Sequence, residues 1–370
     1  MALPDKEYIR SLVKYDPEFQ ELCDRTGLFS GKFSVTELHG HMKTILDAFE
    51  RAVGPTPDDI IETNITYTTR DGTSLRAKLF QPKERTTGKG RPLFVMFHGG
   101  GFSSGSPDDE TLLCRNLVHA LGAVCVAPTY RVAPEHVFPT AAHDAWDALQ
   151  WAASPETYMA WGADPVNAGF VVGGTASGGN LAAVATHMAR DSQLQPPLTG
   201  HYLSTPLLTM PEVVPEKYRE FYLSHGQNTH SPVMCTSVVH HIVDGVYKAD
   251  KTEATLFSVL NHPRGHAGLP PAYVQACGLD ATRDDALLYE AILRKECKLQ
   301  TKIGVYLGLP QRFQDLFATF TASTRFRRDQ VEGIAWLFGR APDIAKVVTE
   351  LKPEDVLGQD PAVSPRPVFY

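Results

Sequence analysis

Val171-Val172-Gly173-Gly174-Thr175-Ala176-Ser177-Gly178-Gly179-Asn180 is the segment from which the architecture of this chain can be predicted. Its apolar beginning is typical of a buried strand, and the glycines that follow permit a sharp turn. A helix is predicted next, from residue 180 to residue 190. The stretch therefore passes from a strand through a tight turn directly into a helix.

Strands and helices alternate on both sides of this stretch. The predicted strands are 61–69, 74–81, 93–97, 123–130, 170–173, 201–205, 272–277 and 301–306, and the predicted helices are 109–120, 141–152, 180–190, 284–295 and 330–338. Asp71-Gly72 joins the first two strands and is a hairpin signal. Because parallel strands are joined by crossover helices, the alternation predicts an α/β fold with a mostly parallel central sheet and helices on both faces.

The alternation of strands and helices is interrupted in two segments, and these segments indicate how the chain is organised. Residues 1–55 show helical spacing of apolar residues, and residues 207–262 are richer in polar residues, proline and histidine. We expect these two segments to form a helical cap over the carboxyl ends of the strands. The core is then predicted to consist of residues 56–206 and 263–340, followed by a C-terminal tail at 341–370.

Composition narrows the function classes. The 370 residues carry a formal net charge of −7, which gives no basic surface for nucleic acid. No apolar run is long enough to span a membrane, and the first residues lack a signal-peptide pattern. The six cysteines are scattered without metal-ligand spacing. We expect a cytoplasmic protein without metal or other cofactor.

Several motifs, in a fixed order, resemble those of one protein family. They are His98-Gly99-Gly100-Gly101-Phe102, Tyr130-Arg131-Val132-Ala133-Pro134-Glu135, the turn at 174–180, and Gly278-Leu279-Asp280-Ala281-Thr282-Arg283-Asp284-Asp285. Together they resemble the hormone-sensitive-lipase-like esterase branch of the α/β-hydrolases, over residues 60 to 340. The resemblance implies the α/β-hydrolase fold, whereas activity must be argued from the site.

In that family the turn is a nucleophile elbow, and the triad follows in the order nucleophile, acid, histidine. By position, the resemblance assigns these roles to Ala176, Asp280 and Gln311. Alanine has no nucleophilic atom, and the neutral amide of glutamine does not accept a proton as imidazole does. Only the acid of the triad remains.

The resemblance also implies that the oxyanion hole survives, because backbone N–H groups build it. Its donors are assigned to Gly99, Gly100 and Ser177. Asp280 is open to three roles: general base, orienting acceptor for Gln311, or partner of Arg283. Phe102, Ala176 and Arg312 are also predicted to contact the substrate.

Other residues were weighed as replacements for the triad. Thr175 and Ser177 flank the elbow, but neither inherits a base. The cap and loop histidines, which are His240, His241, His262 and His266, are expected to be surface or loop residues rather than bases.

The size of the rate enhancement that remains without a triad favours a reaction other than hydrolysis. A serine-hydrolase site without its triad retains roughly 10³–10⁴-fold catalysis over water. That suits reactions of low intrinsic barrier, for which holding one conformer is worth about 7–11 kcal/mol. We expect a cyclisation, pericyclic reaction, dehydration or isomerisation of a hydrophobic natural-product intermediate. The sequence leaves the oligomeric state open, although proteins of the branch it resembles often form homodimers.

Two other functions are kept as alternatives. One is a small-molecule binding protein without turnover, similar to the gibberellin receptors of this branch. The other is a carboxylesterase, either altered at residue 176 or using a displaced nucleophile.

Overall fold

The computed structural model describes residues 5–26, 49, 51–84 and 90–351. Residues 27–48 of the predicted 1–55 segment and the predicted tail from residue 352 onward lie outside the described residues. One eight-stranded sheet forms the centre of the described part, in the order β1-β2-β4-β3-β5-β6-β7-β8. The strands are β1 Ile60–Thr68, β2 Ser74–Pro82, β3 Leu93–Phe97, β4 Val124–Pro128, β5 Phe170–Thr175, β6 Gly200–Ser204, β7 Ala272–Leu279 and β8 Thr301–Pro310.

The sheet is parallel from β4 to β8, whereas β1 pairs with β2 and β2 with β4 in antiparallel fashion. The predicted hairpin and the mostly parallel α/β class are therefore confirmed. The α-helices are α1 Lys6–Ser11, α2 Pro17–Thr26, α3 Thr111–Leu121, α4 Thr140–Ala153, α5 Pro155–Ala160, α6 Pro165–Ala168, α7 Ser177–Asp191, α8 Ser224–Gln227, α9 Thr236–His240, α10 Arg283–Lys295, α11 Phe313–Leu316 and α12 Thr321–Leu337.

Alternate residues of the central strands face two separate cores. In β3, Leu93, Val95 and Phe97 pack with helices α4, α7 and α10. Phe94 and Met96 pack with α3 and α12 on the opposite face. The period of two along a strand thus places a helical layer on each face of the sheet.

Helix α12 departs most from its predicted bounds. It begins at Thr321, nine residues before the predicted start at 330. Its first half contains Arg325 and Arg328, which pair with Asp329 and Glu332 across one turn, so this half lacks the apolar spacing that reveals a helix.

Segments outside the core contact the carboxyl ends of the strands. The backbone of Leu12 accepts a hydrogen bond from Gly308 N at 2.9 Å, and a Cβ on Gly278 would lie 2.0 Å from the same Leu12 oxygen. From the 207–262 segment, Ile242 lies against Gly101. These contacts fit the division into core and cap, which stays a proposal. In the described part of the chain, no helix has the length and apolar character needed to cross a membrane.

Candidate active site

The elbow keeps a strained backbone although its residue is alanine. Ala176 has φ 53° and ψ −111°, outside the regions that L-residues normally adopt. Its N–H donates to Ser204 O at 2.8 Å, and its carbonyl accepts from Asn180 N at 3.1 Å. Such conformations cost about 1–3 kcal/mol and persist where the surroundings impose them, often at functional sites.

Glycines on both sides of Ala176 make the turn possible. A Cβ on Gly174 would lie 2.0 Å from Gly178 O, and one on Gly178 would lie 2.2 Å from Phe97 O. The start of α7 is therefore pressed against the end of β3. A Cβ on Gly99 would lie 3.8 Å from the Ala176 Cβ, which places the glycine loop beside the elbow.

His98 orients the glycine loop. Its ring is fully buried, burial lowers its pKa, and Nδ1 lies 2.7 Å from Gly99 O. Since a carbonyl only accepts, Nδ1 of the neutral ring carries the hydrogen. In a trans peptide the N–H points opposite to the preceding carbonyl, so Gly100 N–H points away from His98.

The three predicted oxyanion donors are available. Among the described residues, no acceptor binds the backbone N–H of Gly99, Gly100 or Ser177. Ser177 is the first residue of α7, where N–H groups have no partner within the helix. These three donors remain the predicted carbonyl-binding groups.

Both hydroxyl groups beside the elbow are engaged elsewhere. Tyr130 donates its hydroxyl hydrogen to His98 O at 2.9 Å, and Ser177 Oγ lies 3.3 Å from the same Tyr130 oxygen. The Ser177 side chain is buried there. Thr175 hydrogen-bonds the fully buried Glu110. This geometry disfavours either hydroxyl as a displaced nucleophile.

Asp280 is sealed inside the loop that follows β7. Its Oδ1 accepts from Thr282 N at 2.8 Å and from Thr282 Oγ1 at 2.9 Å, while Oδ2 lies 3.3 Å from Gln311 Nε2. Burial raises the pKa of this fully buried carboxyl to about 7. Arg283 instead donates to Asp284 at 2.7 Å. Of the three roles considered, the geometry favours orienting acceptor for Gln311.

Gln311 lies between Asp280 and Thr205. Its Nε2 donates to Asp280 Oδ2 and to Thr205 O, both at 3.3 Å. Because Thr205 O cannot donate, this contact fixes which end of the amide is nitrogen. Both amide hydrogens are then used, and Oε1 accepts no hydrogen bond from a described residue. The structure thus brings Asp280 and Gln311 together and leaves one neutral acceptor facing away from both.

Backbone strain is concentrated around these residues. Eight non-glycine residues in the described ranges have positive φ, and four of them adjoin the site: Phe102, Ala176, Thr205 and Arg312. Thr205 is the most unusual, since β-branched residues rarely adopt φ near its 43°. The positions of the elbow and of the Gln311 acceptor are both set by strained backbone.

Phe102 lies in an aromatic stack with a residue of the 207–262 segment. Its ring is fully buried, 4.0 Å between centroids from the nearly parallel ring of Tyr247. In this arrangement it joins the glycine loop to the cap segment. Its predicted contact with substrate stays a prediction.

Arg312 follows Gln311 and lines a cavity of about 240 Å³ whose walls are both charged and apolar. Its Nε donates to Asp315 Oδ2 at 3.0 Å. The residues around the cavity are Phe49, Val53, Gly54, Lys78, Asp108, Asp109, Thr111, Leu112, Arg115 and Arg312. This set does not include the elbow or the glycine loop, and the predicted contact of Arg312 with substrate stays a prediction.

The histidines considered as replacement bases lie apart from the elbow or pair elsewhere. His240 Nδ1 is 3.2 Å from Asp244. His262 and His266 are in a loop, as expected, but are buried. His266 Nδ1 lies 3.0 Å from Nε2 of His187, which is ten residues, or about 15 Å of helix, beyond Ser177.

Two residues of the site were not identified from sequence. Tyr130 belongs to a quoted motif, yet nothing in the motif indicates that its hydroxyl joins the glycine loop to Ser177. Thr205 precedes Pro206, and residues before proline are expected to be extended. Its positive φ depends on tertiary contacts, including Thr205 N to Gln275 O at 2.8 Å.

Comparisons with known proteins agree on the family. A family model described as alpha/beta hydrolase fold matches residues 94–315. A protein of the AB hydrolase superfamily from Schizosaccharomyces pombe is 31% identical over 329 residues, covering 88% of this chain and 94% of the relative. Versiconal hemiacetal acetate esterase from Dothistroma septosporum is 29% identical, covering 82% and 90%.

A solved structure of similar architecture bears the name of a cyclase. The crystal structure of vibralactone cyclase is 28% identical, has a TM-score of 0.80, and covers 92% of this chain and 99% of its own.

Proposed function

This chain belongs to the α/β-hydrolase family, in its hormone-sensitive-lipase-like branch, and we propose that it is a non-hydrolytic enzyme of that family. Its reaction is a cyclisation, including pericyclic ring closure, of a hydrophobic carbonyl compound of secondary metabolism. The observation that carries this proposal is the elbow at Ala176. It retains its strained conformation beside three unpaired amide donors, although the residue it presents has no nucleophile.

Hydrolysis of an ester requires two groups that residues 176 and 311 lack. The alanine methyl cannot form an acyl-enzyme, and the Gln311 amide cannot remove a proton from water at neutral pH. The retained donors supply only the roughly 10³–10⁴-fold catalysis that remains without a triad.

The same geometry narrows the choice among non-hydrolytic reactions. Dehydration and isomerisation need a group that transfers protons at the reacting atoms. The one titratable triad residue, Asp280, is fully buried behind Gln311. Cyclisation instead depends on one bound conformer and on carbonyl polarisation, which a shaped pocket with N–H donors supplies.

The comparisons support the proposal in part. Vibralactone cyclase, the structure similar over 92% of this chain, is a cyclase by name. Relatives named as esterases show that the same scaffold also supports hydrolysis. The absence of nucleophile and base at residues 176 and 311 is the reason to prefer the cyclase.

Product mass tests the proposal directly. The gene of this protein is inactivated in its source organism, and an apolar extract of that organism is incubated with the purified protein. Liquid chromatography and mass spectrometry then follow the compounds in the mixture. Cyclisation converts a compound into an isomer of equal mass. Hydrolysis instead gives an acid and an alcohol whose masses sum to that of the substrate plus one water, and that outcome contradicts the proposal. A tightly retained but unchanged compound contradicts it in favour of a receptor.

Gly99→Ala is the matched variant for this experiment. The added methyl would lie 3.8 Å from the Ala176 methyl, beside the elbow, and 3.3 Å from Thr175 O, which must shift by a few tenths of an ångström. A thermal melt establishes that the variant is folded. Conversion should fall at least about tenfold, the effect of 1.4 kcal/mol on a barrier. Gly226→Ala is the control, since nothing lies within 4 Å of its added methyl.

A further inference from the structure

Replacing serine with alanine leaves room for an oxygen atom at the elbow. Ala176 keeps the backbone that would present a side chain to the site, but its side chain ends at Cβ. In triad enzymes the serine oxygen at this place contacts both the carbonyl carbon held in the oxyanion hole and the base. Here the donors remain and the oxygen is missing.

The residue at the base position has the polarity to hold a hydroxyl group. Thr205 O and Asp280 Oδ2 both accept from Gln311 Nε2, so Oε1 is turned away from them and accepts from no described residue. An amide oxygen accepts a hydrogen bond but does not remove the proton. An O–H group of a substrate is a suitable partner for this oxygen, because it donates the hydrogen bond that the amide oxygen accepts.

Ser204 and Thr205 connect Gln311 to the elbow. Ser204 O accepts from Ala176 N at 2.8 Å, and the adjacent Thr205 carbonyl holds the Gln311 amide. One two-residue segment at the end of β6 therefore holds both the backbone of the elbow and the amide nitrogen of Gln311.

Resting on the proposed function, we propose that the substrate supplies its own nucleophile: a hydroxyl group occupies the place of the missing serine oxygen, donates to Gln311 Oε1, and adds to the carbonyl of the same molecule. The substrate class is a hydrophobic γ- or δ-hydroxy aldehyde or ketone, because those spacings close rings of five or six atoms. The product is a cyclic hemiacetal.

The step balances without a co-reactant. The hydroxyl oxygen forms a bond to the carbonyl carbon, and the carbonyl π electrons move to the oxygen that Gly99, Gly100 and Ser177 bind. The proton that leaves the hydroxyl ends on that former carbonyl oxygen, so product and substrate are isomers. Because this addition is reversible and intrinsically easy, positioning and a neutral acceptor are sufficient.

The probe for the test is 5-hydroxy-1-phenylpentan-1-one carrying ¹³C at the carbonyl, compared with its O-methyl ether. NMR measures the affinity of each, the ¹³C shift of the bound carbonyl, and the exchange between open and ring forms. The wild-type protein should bind the hydroxy ketone at least about tenfold more tightly than the ether. It should also accelerate ring exchange at least about tenfold over buffer.

Gln311→Leu and Gln311→Met should bring the affinity ratio to about one and abolish the acceleration, while the carbonyl shift persists. Gln195→Leu, at an exposed position, is the control, and a thermal melt establishes that each variant is folded. Equal affinities or unchanged exchange with wild-type protein overturns the inference, as does failure to bind the hydroxy ketone. If the two compounds bind with equal affinity but the ¹³C chemical shift of the bound carbonyl still changes, the proposed function stands without this inference. If the probe binds and that chemical shift does not change, the proposed function itself is contradicted.

Discussion

Restoring the two missing triad groups should restore ester hydrolysis only when both are present. Ala176→Ser places a hydroxyl on a backbone that already has φ 53° and ψ −111°, so the elbow need not rearrange. Gln311→His replaces an amide that lies 3.3 Å from Asp280 Oδ2, the distance from which a ring N–H is oriented by the carboxylate. The scaffold on either side of both substitutions is intact.

The expected change in the rate of hydrolysis follows from the dependence of the nucleophile on its base. A general base contributes roughly 10²–10⁴-fold, and triad residues act as a unit. We therefore expect Ala176→Ser or Gln311→His alone to change hydrolysis of p-nitrophenyl butyrate by less than about tenfold. The double variant should exceed wild type by at least about 10²-fold.

The assay is initial-rate hydrolysis at neutral pH, with a fluorophosphonate probe to count reactive serines. Ala176→Ser combined with Gln311→Asn keeps a neutral amide and is the control, which should stay as inactive as Ala176→Ser. Strong hydrolysis by Ala176→Ser alone would refute the reasoning, because a base other than residue 311 would then serve the site.

Three further results are expected. Gly100→Ala should lower the free energy of unfolding in urea by at least about 2 kcal/mol, because the added Cβ would lie 2.1 Å from Ser104 O at a φ of +121°. Gly226→Ala is the control and should leave the urea midpoint unchanged, since nothing lies within 4 Å of its added methyl. Burial raises the pKa of Glu110 to about 8. The neutral Glu110 carboxyl therefore contributes fully to stability below about pH 4, and this contribution is lost as pH rises through 8. Urea titrations at pH 5 and 8 should show the wild-type protein losing stability on the order of a few kcal/mol, and Glu110→Gln should lose less. An equal loss of stability in the two proteins would count against a buried neutral carboxyl. Tyr130→Phe removes the donor to His98 O and should lower stability by about 1 kcal/mol in chemical denaturation, whereas Tyr158→Phe should not, because no described residue binds that hydroxyl.

The fold could be predicted because local and long-range signals agree. The strand at Val171, the glycines of the turn and the helix that follows each indicate the same connection, and the clashes expected at Gly174 and Gly178 explain why glycine is required. The first half of α12 carried no such signal, because Arg325 and Arg328 pair with Asp329 and Glu332 and only Phe326 supplies a large apolar side chain there.

Only those features of the site that follow from the position of a residue within a motif could be predicted from the sequence. Position placed Asp280 beside Gln311, and the structure confirms this proximity. It did not reveal that the Gln311 amide is fixed by Thr205 O, because the positive φ of Thr205 contradicts the local preference of a β-branched residue before proline. It also did not reveal the partners of the Ser177 hydroxyl, which depend on Tyr130 from a distant strand end.

The central claim is that the amides around Ala176 bind a substrate carbonyl in a site without a nucleophile. The most direct measurement is a crystal structure of the protein with the carbonyl compound recovered from the source extract. We predict its carbonyl oxygen about 2.7–3.1 Å from the backbone nitrogens of Gly99, Gly100 and Ser177, with no covalent bond to the protein. Side chains of the cap filling the space above Ala176, with the compound bound elsewhere, would contradict it.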